Sequence, residues 1–185
     1  MERKATIVLL NGAGSAGKSS LARALQALLP GAFLHVAMDA FLDMMPAKTL
    51  GTPDGLTFET VLEDGKPAVV VTTGPALARA LRGMRHAVAA MADQGCDMIV
   101  DEVMLGDELE EYRALLTAHR LCVVGVHAPL DVLEARETAR GDRDIGLARW
   151  QFPRVHLGAD YDFEIDTSAA SPEECARAIA EWFGL

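Results

Sequence analysis

The run Gly12-Ala13-Gly14-Ser15-Ala16-Gly17-Lys18-Ser19 has the residue types and the spacing that grip phosphate. It fits G-x-x-x-x-G-K-[ST], in which glycines let the backbone wrap so tightly that successive N–H groups converge on phosphate oxygens. Lys18 can then reach the β- and γ-phosphates of a nucleotide and the Ser19 hydroxyl can ligate Mg²⁺, with Ser20 completing the nucleotide-binding stretch. A second group is Asp39, with apolar Met38 before it and Phe41, Met44 and Met45 after it. A carboxylate there could take the proton of an acceptor hydroxyl as it attacks the γ-phosphate, a role worth about 10²–10⁴ in rate. The alternative use of an aspartate in that position is to cap a short following helix. Phe41, Met44 and Met45 could line an apolar acceptor pocket or simply fill core.

Asp101 and Glu102 end the apolar run that begins at Asp97. A hard, hydrated cation such as Mg²⁺ needs few protein ligands, so one carboxylate with Ser19 suffices. Neighbouring strand residues point to opposite faces, so the two acids cannot share the task. Asp101 is assigned to the metal, which leaves Glu102 free to act on substrate. Arg136, Arg140 and Arg143 lie at i, i+4 and i+7 and share one face if the segment stays helical. Such cations could neutralise charge on a transferred phosphoryl group. Glu134, Glu137, Asp142 and Asp144 are interleaved with them, however, so ordinary surface ion pairs are an equal reading. The five histidines show no metal-ligand spacing; His127 and His156 come near the site in the reading below, where a structural role suits each better. No G-x-S-x-G hydrolase elbow is present.

Elements to position these groups follow from periodicity. Ala5–Leu10 is a β-branched apolar run, Leu21, Ala24, Leu25, Leu28 and Leu29 recur at helical spacing, and Pro30-Gly31 stops them. Strands are expected at Phe33–Met38, Asp97–Val103, Leu121–His127 and Tyr161–Asp166. Between them, helices are expected from Pro75 to about Gln94, Glu108 to His119 with Asp107 as cap, and Asp131 to Ala139. A helical piece at 145–157, bent or ended by Pro153, follows, and the last helix runs from Ser171 to Phe183 with a capping box to Glu174. Residues 47–75 read as an excursion in which turns set off two strand-like pieces, Leu56–Leu62 and Ala68–Thr73, that could pair as a hairpin. Strands alternating with helices imply one α/β domain over 1–185, a parallel sheet of five strands with helices on both faces, and ligands beyond the strands' carboxyl ends.

Composition narrows the class. Half of the 185 residues are apolar, enough for a real core, and no apolar run approaches the ~20 residues of a membrane span. The opening Met1-Glu2-Arg3-Lys4 is followed by too short an apolar stretch for a signal peptide, and cleavage there would destroy the phosphate loop. A net charge of −10 argues against nucleic acid as main partner. Cys96, Cys122 and Cys175 are odd in number and widely spaced, which excludes a disulfide framework or zinc site and points to the reducing cytoplasm. A GTP switch needs an N-K-x-D guanine reader, and Asn11 is the chain's single asparagine. The expected partner is a small hydroxyl compound, with homo-oligomerisation left open.

Asn11–Ser19, Met38-Asp39 leading to Pro46, Gly95–Leu105, Arg136-Glu137-Thr138-Ala139-Arg140-Gly141-Asp142-Arg143, and Tyr161-Asp162 with Asp166-Thr167 together resemble the chloramphenicol phosphotransferase family, in order and over nearly the whole chain. The resemblance implies a three-layer P-loop kinase fold with an arginine-bearing lid, here residues 136–157. It also implies ATP- and Mg²⁺-dependent phosphorylation of an alcohol, chloramphenicol-like or another metabolite. Asp39 matches the family's proposed base, and Arg136, Arg140 and Arg143 fall on its lid. Departures are Ala40 where the chloramphenicol enzyme has Ser, Glu102 where it has Asp, and a longer excursion at 47–75, placed on the acceptor side. Two rival readings are an ATP-binding regulatory module without transfer activity and a nucleotide or adenylylsulfate-type kinase on the same fold.

Overall fold

The computed structural model describes residues 4–141 and 145–185. Five parallel strands form the central sheet: β1 (Thr6–Asn11), β2 (Phe33–Ala37), β5 (Asp97–Glu102), β6 (Arg120–His127) and β7 (Phe163–Asp166), in the spatial order β2-β5-β1-β6-β7. β1 sits in the middle because it is apolar on both faces. Val8 and Leu10 pack on one side with Leu25 and Ala22 of α1 (Lys18–Leu28) and Ile179 of α7 (Pro172–Phe183). Ile7 and Leu9 pack on the other with Met84 and Val88 of α3 (Pro75–Asp93) and Tyr112 of α4 (Glu108–Leu115). Helices thus cover both faces, as a parallel sheet requires.

Register brings the chemistry to one edge. Asn11 stands opposite Glu102, Ala37 opposite Asp101, and His127 opposite Asp166, all at carboxyl ends. The excursion contains a separate antiparallel hairpin, β3 (Leu56–Glu63) and β4 (Lys66–Thr73). Its turn, Asp64-Gly65, has φ of 52° and 75°, the doubly left-handed form that suits strand twist.

Several boundaries differ from expectation. The second strand stops at Ala37, and Asp39 lies in the first turn of α2 (Met38–Asp43). Ala37 occupies the N-cap position, so Asp39 does not cap this helix. Asp107 stands at the N-cap of α4 without a side-chain bond; Glu108 instead accepts from the Gly106 N–H at 2.7 Å, and the helix ends at Leu115 rather than His119. α5 (Leu130–Arg140) ends at Gly141, whose φ of 68° breaks the helix. The expected arginine face is described at Arg136 and Arg140; Arg143 lies outside the described residues. The helical expectation at 145–157 shrinks to α6 (Leu147–Gln151), with turns running past Pro153 to Gly158. The capping box at α7 forms as the sequence requires.

Candidate active site

The loop between β1 and α1 is shaped by close approach and by backbone hand. A Cβ at Gly12 would lie 2.3 Å from the Val126 carbonyl oxygen, so only glycine lets the loop lie against β6. Ser15 and Gly17 take φ of 64° and 89°, and such left-handed residues turn successive N–H groups toward one concave side. The Lys18 ammonium donates to the carbonyls of Gly12 (2.8 Å) and Ala13 (3.0 Å). Beneath the loop, Thr167 donates its hydroxyl to the Ala16 carbonyl at 2.8 Å. Gly12, Ala13 and Ala16 are buried and form the back of the loop. Gly14, Ser15, Gly17, Lys18, Ser19 and Ser20 face a cleft of about 1000 Å³.

Asp39, Asp101, Glu102 and Arg140 open into this same cleft. Asp101 points to the α1 side of the sheet. Burial pushes its carboxyl up, but the hydrogen bond from His35, the Lys18 charge and a bond from Ser19 outweigh it and hold the group below its ordinary value. His35 Nε2 lies 2.9 Å from Asp101 Oδ2. Glu102 points the opposite way, as strand alternation demands. It accepts from Arg85 Nη1 (2.9 Å) and Tyr112 Oη (2.7 Å), and burial pushes it up to about 7 despite those partners.

The arginines separate. Arg140 reaches the cleft, whereas Arg136 donates to the Thr167 hydroxyl (3.0 Å) and carbonyl (2.7 Å), which places it beside Gly17 behind the loop. Arg149 pairs with Glu134, and Arg154 with Glu63 at 2.9 Å. Of the interleaved acids, Glu134 is thus taken by Arg149, and buried Glu137 accepts N–H bonds from Gly146 and Ala148 at 2.8 Å each.

Of the expected apolar acceptor residues, none lines the cleft. Phe41 packs against the core and Met44 is 68% exposed. From α2 the cleft takes Met38, Asp39, Leu42 and Asp43, because a helical turn aims positions 38, 39 and 42 together. The other apolar wall comes from Leu56, Phe58 and Val71 of the hairpin and Leu77 and Leu81 of α3. His127 and His156 stack on each other, ring centres 3.9 Å apart, and do not line the cleft. Burial, then the charges of His127 and Lys18, push His156 down to about 4. Its Nδ1 lies 2.7 Å from the Tyr161 hydroxyl, to which Asn11 donates at 2.7 Å, so the cluster braces the end of β1.

Two contributors, His35 and Gln151, carry no motif in the sequence, and Thr167 stands in the Asp166-Thr167 block without a role assigned to it. The Gln151 Oε1 accepts from the Gly14 N–H at 2.7 Å. The only available hint was position: Thr167 follows the carboxyl end of β7, and His35 lies within β2 beside β5.

A parallel five-stranded sheet wrapped by helices, with a phosphate loop after its central strand, defines the P-loop kinases. Solved structures agree on the fold. The Mycobacterium tuberculosis APS kinase CysC, in complex with AMPPNP and APS, superposes with a TM-score of 0.69 at 18% identity, covering 99% of both chains. A sugar kinase from Janibacter sp. gives 0.68 at 19% identity over 97% of this chain and 95% of its own. The sequence is more specific. Residues 5–183 match the model of the chloramphenicol phosphotransferase-like proteins, and the chain belongs to that family. A Mycobacterium tuberculosis H37Rv protein named "Putative O-phosphotransferase Rv2636" is 35% identical over 181 residues, 95% of this chain and 80% of that protein.

Proposed function

We propose that the chain is an ATP- and Mg²⁺-dependent O-phosphotransferase that moves the γ-phosphoryl group to a hydroxyl of a small, apolar-bodied molecule, a chloramphenicol-like antibiotic or a metabolite of similar character. The observation that carries this reading is the convergence of the phosphate loop, Asp39 and Asp101 on one cleft. In it the N–H groups of the Gly12 to Ser20 loop, apart from that of Gly14, which Gln151 holds, cradle the phosphates, with Lys18 swinging from the loop carbonyls to the β- and γ-oxygens. Ser19 and the ionised Asp101, already hydrogen-bonded to each other, fit the sparse hydroxyl-plus-carboxylate set that a hydrated Mg²⁺ takes. Magnesium supplies charge neutralisation across the phosphates. Asp39 accepts the proton of the acceptor hydroxyl, and Arg140 offsets charge on the phosphoryl group in transfer. Arg136, and Arg143 beyond the described residues, complete the nucleotide side.

Residues 136–157 then act as lid and 47–75 as the acceptor-side wall of a single domain. Three unpaired thiols suit a reducing cytoplasm, and among the described residues no helix is long and apolar enough to cross a membrane.

Charge separates this reading from an adenylylsulfate-type kinase. Among the described residues the cleft-lining cations are Lys18 and Arg140, both expected at the phosphate end. The remaining charged groups are acids, Asp39, Asp43, Asp101, Glu102 and Glu108. An anionic acceptor would be desolvated against that wall without a counter-ion, a cost that disfavours it. The test is a screen of neutral, cationic and anionic hydroxyl compounds, chloramphenicol included, for ADP release that requires both ATP and Mg²⁺. Release with neutral or cationic alcohols is expected. Nucleotide binding with no transfer to any of them would identify a regulatory module instead.

A further inference from the structure

Gln151 is more than nine-tenths buried, lies 137 residues from the phosphate loop in sequence, and nevertheless touches it. The Gly14 N–H can only donate, so the atom 2.7 Å from it must be the amide carbonyl of Gln151. That fixes the side chain's orientation: the NH₂ group is on the other end of a planar amide, and Gln151 forms part of the cleft wall with Ser15, Lys18 and Arg140. Among the described residues, no hydrogen bond reaches this nitrogen. The residue is buried but this nitrogen is not among the buried atoms without a partner, so an amide anchored at its oxygen keeps two donors open to an acceptor that enters the cleft.

The anchoring is built from outside the loop. Gln151 ends α6, whose first turn is held by Glu137 through the Gly146 and Ala148 N–H groups. Gly146 in turn accepts from the Val69 N–H of the hairpin at 3.0 Å, and its φ of 105° and a Cβ approach of 2.7 Å to the Pro67 carbonyl leave room for glycine alone. The amide is therefore held by a bracket of buried carboxylate and strand edge, which lowers the ordering cost of any bond it makes.

We propose that Gln151 is a ligand of the terminal phosphate: with its carbonyl on the Gly14 N–H, its NH₂ donates to a non-bridging γ-phosphoryl oxygen, so that the site distinguishes a nucleoside triphosphate from a diphosphate. This rests on the nucleotide-binding reading above, but it needs no acceptor for its test. Affinities for Mg²⁺ with ADP and with a non-hydrolysable ATP analogue are measured by calorimetry on the parent chain, Gln151→Glu and Gln151→Met. The Glu variant keeps an oxygen for Gly14 and replaces the donors by a charge. Its preference for the analogue over ADP should fall by about ten-fold or more, and that of the Met variant by roughly three- to ten-fold, with ADP affinity nearly unchanged in both. An analogue-to-ADP ratio within two-fold of the parent in both variants overturns the proposal, as does an equal loss for the two ligands, which would make Gln151 a prop for the loop. A parent chain that binds neither nucleotide overturns the nucleotide reading itself.

Discussion

His35 Nε2 lies 2.9 Å from Asp101 Oδ2, joining the middle of β2 to the end of β5. The bond does two things. It orients the carboxylate whose other neighbours are Ser19 and Lys18, and it opposes the effect of burial on its proton affinity. Groups that orient a metal-binding carboxylate typically govern affinity by about 10–100-fold. If Asp101 holds Mg²⁺ as proposed, His35→Phe should therefore raise the Mg²⁺ concentration needed for half-maximal turnover by about ten-fold or more. Asp101 must be ionised to serve, and loss of the bond lets burial lift it, so the acid limb of the pH–rate profile should move to higher pH. A magnesium titration at several pH values checks both; an unmoved acid limb would contradict the assignment.

Asp39 enters the cleft from the first turn of α2 together with Leu42, in the cleft that Lys18 of the phosphate loop also lines. If it takes the acceptor proton, Asp39→Asn should cut turnover by about 10²-fold or more while nucleotide affinity changes less than a few-fold. Steady-state ADP release and nucleotide calorimetry on the same preparation separate these effects. Equal losses in both would point to a structural task for the carboxylate.

Which parts could be read from the chain alone depends on how local their causes are. The three inner strands were legible because β1, β5 and β6 are buried on both faces and their apolar runs are dictated by that burial. The opposite pointing of Asp101 and Glu102 followed from strand alternation. The start of α2 was not legible: six residues carry too little period to separate a helix from a strand end, so the strand was run through Met38 and Asp39 was set before the short helix rather than inside it. Spacing alone did not mark the end of α5, where a left-handed Gly141 closes the helix after Arg140. His35 and Gln151 acquire their roles from partners 66 and 137 residues away, and no local pattern encodes such a meeting.

Glu137 was read as one acid among interleaved surface charges, yet it is 1% exposed and accepts both N–H groups at the start of α6. Glu137→Ala leaves two buried donors without an acceptor. Each such bond to a charged group is worth about 1.5–3 kcal/mol, so a loss of roughly 3 kcal/mol or more is expected in urea unfolding. Glu137→Gln should recover part of it, since its amide oxygen can still accept one of the two.

Glu102 makes the pH dependence of stability testable. Its folded-state carboxyl is pushed up to about 7 from an ordinary 4.5, chiefly by burial, with Tyr112 and Arg85 pulling the other way. Below pH 4.5 the group is protonated in both folded and unfolded chains and makes its full contribution. As pH rises from 4.5 toward 7 the unfolded chain releases the proton first, so that contribution is progressively lost, by up to about 3 kcal/mol. Glu102→Gln removes the titration but keeps an oxygen for Arg85 or Tyr112. Urea unfolding at half-unit steps between pH 4.5 and 8 should show a falling trend in the parent that is flattened in the variant, whatever the offset between the two curves. Parallel curves would mean that Arg85 holds Glu102 ionised throughout, and that the buried pair, rather than desolvation of the acid, governs this face of the cleft.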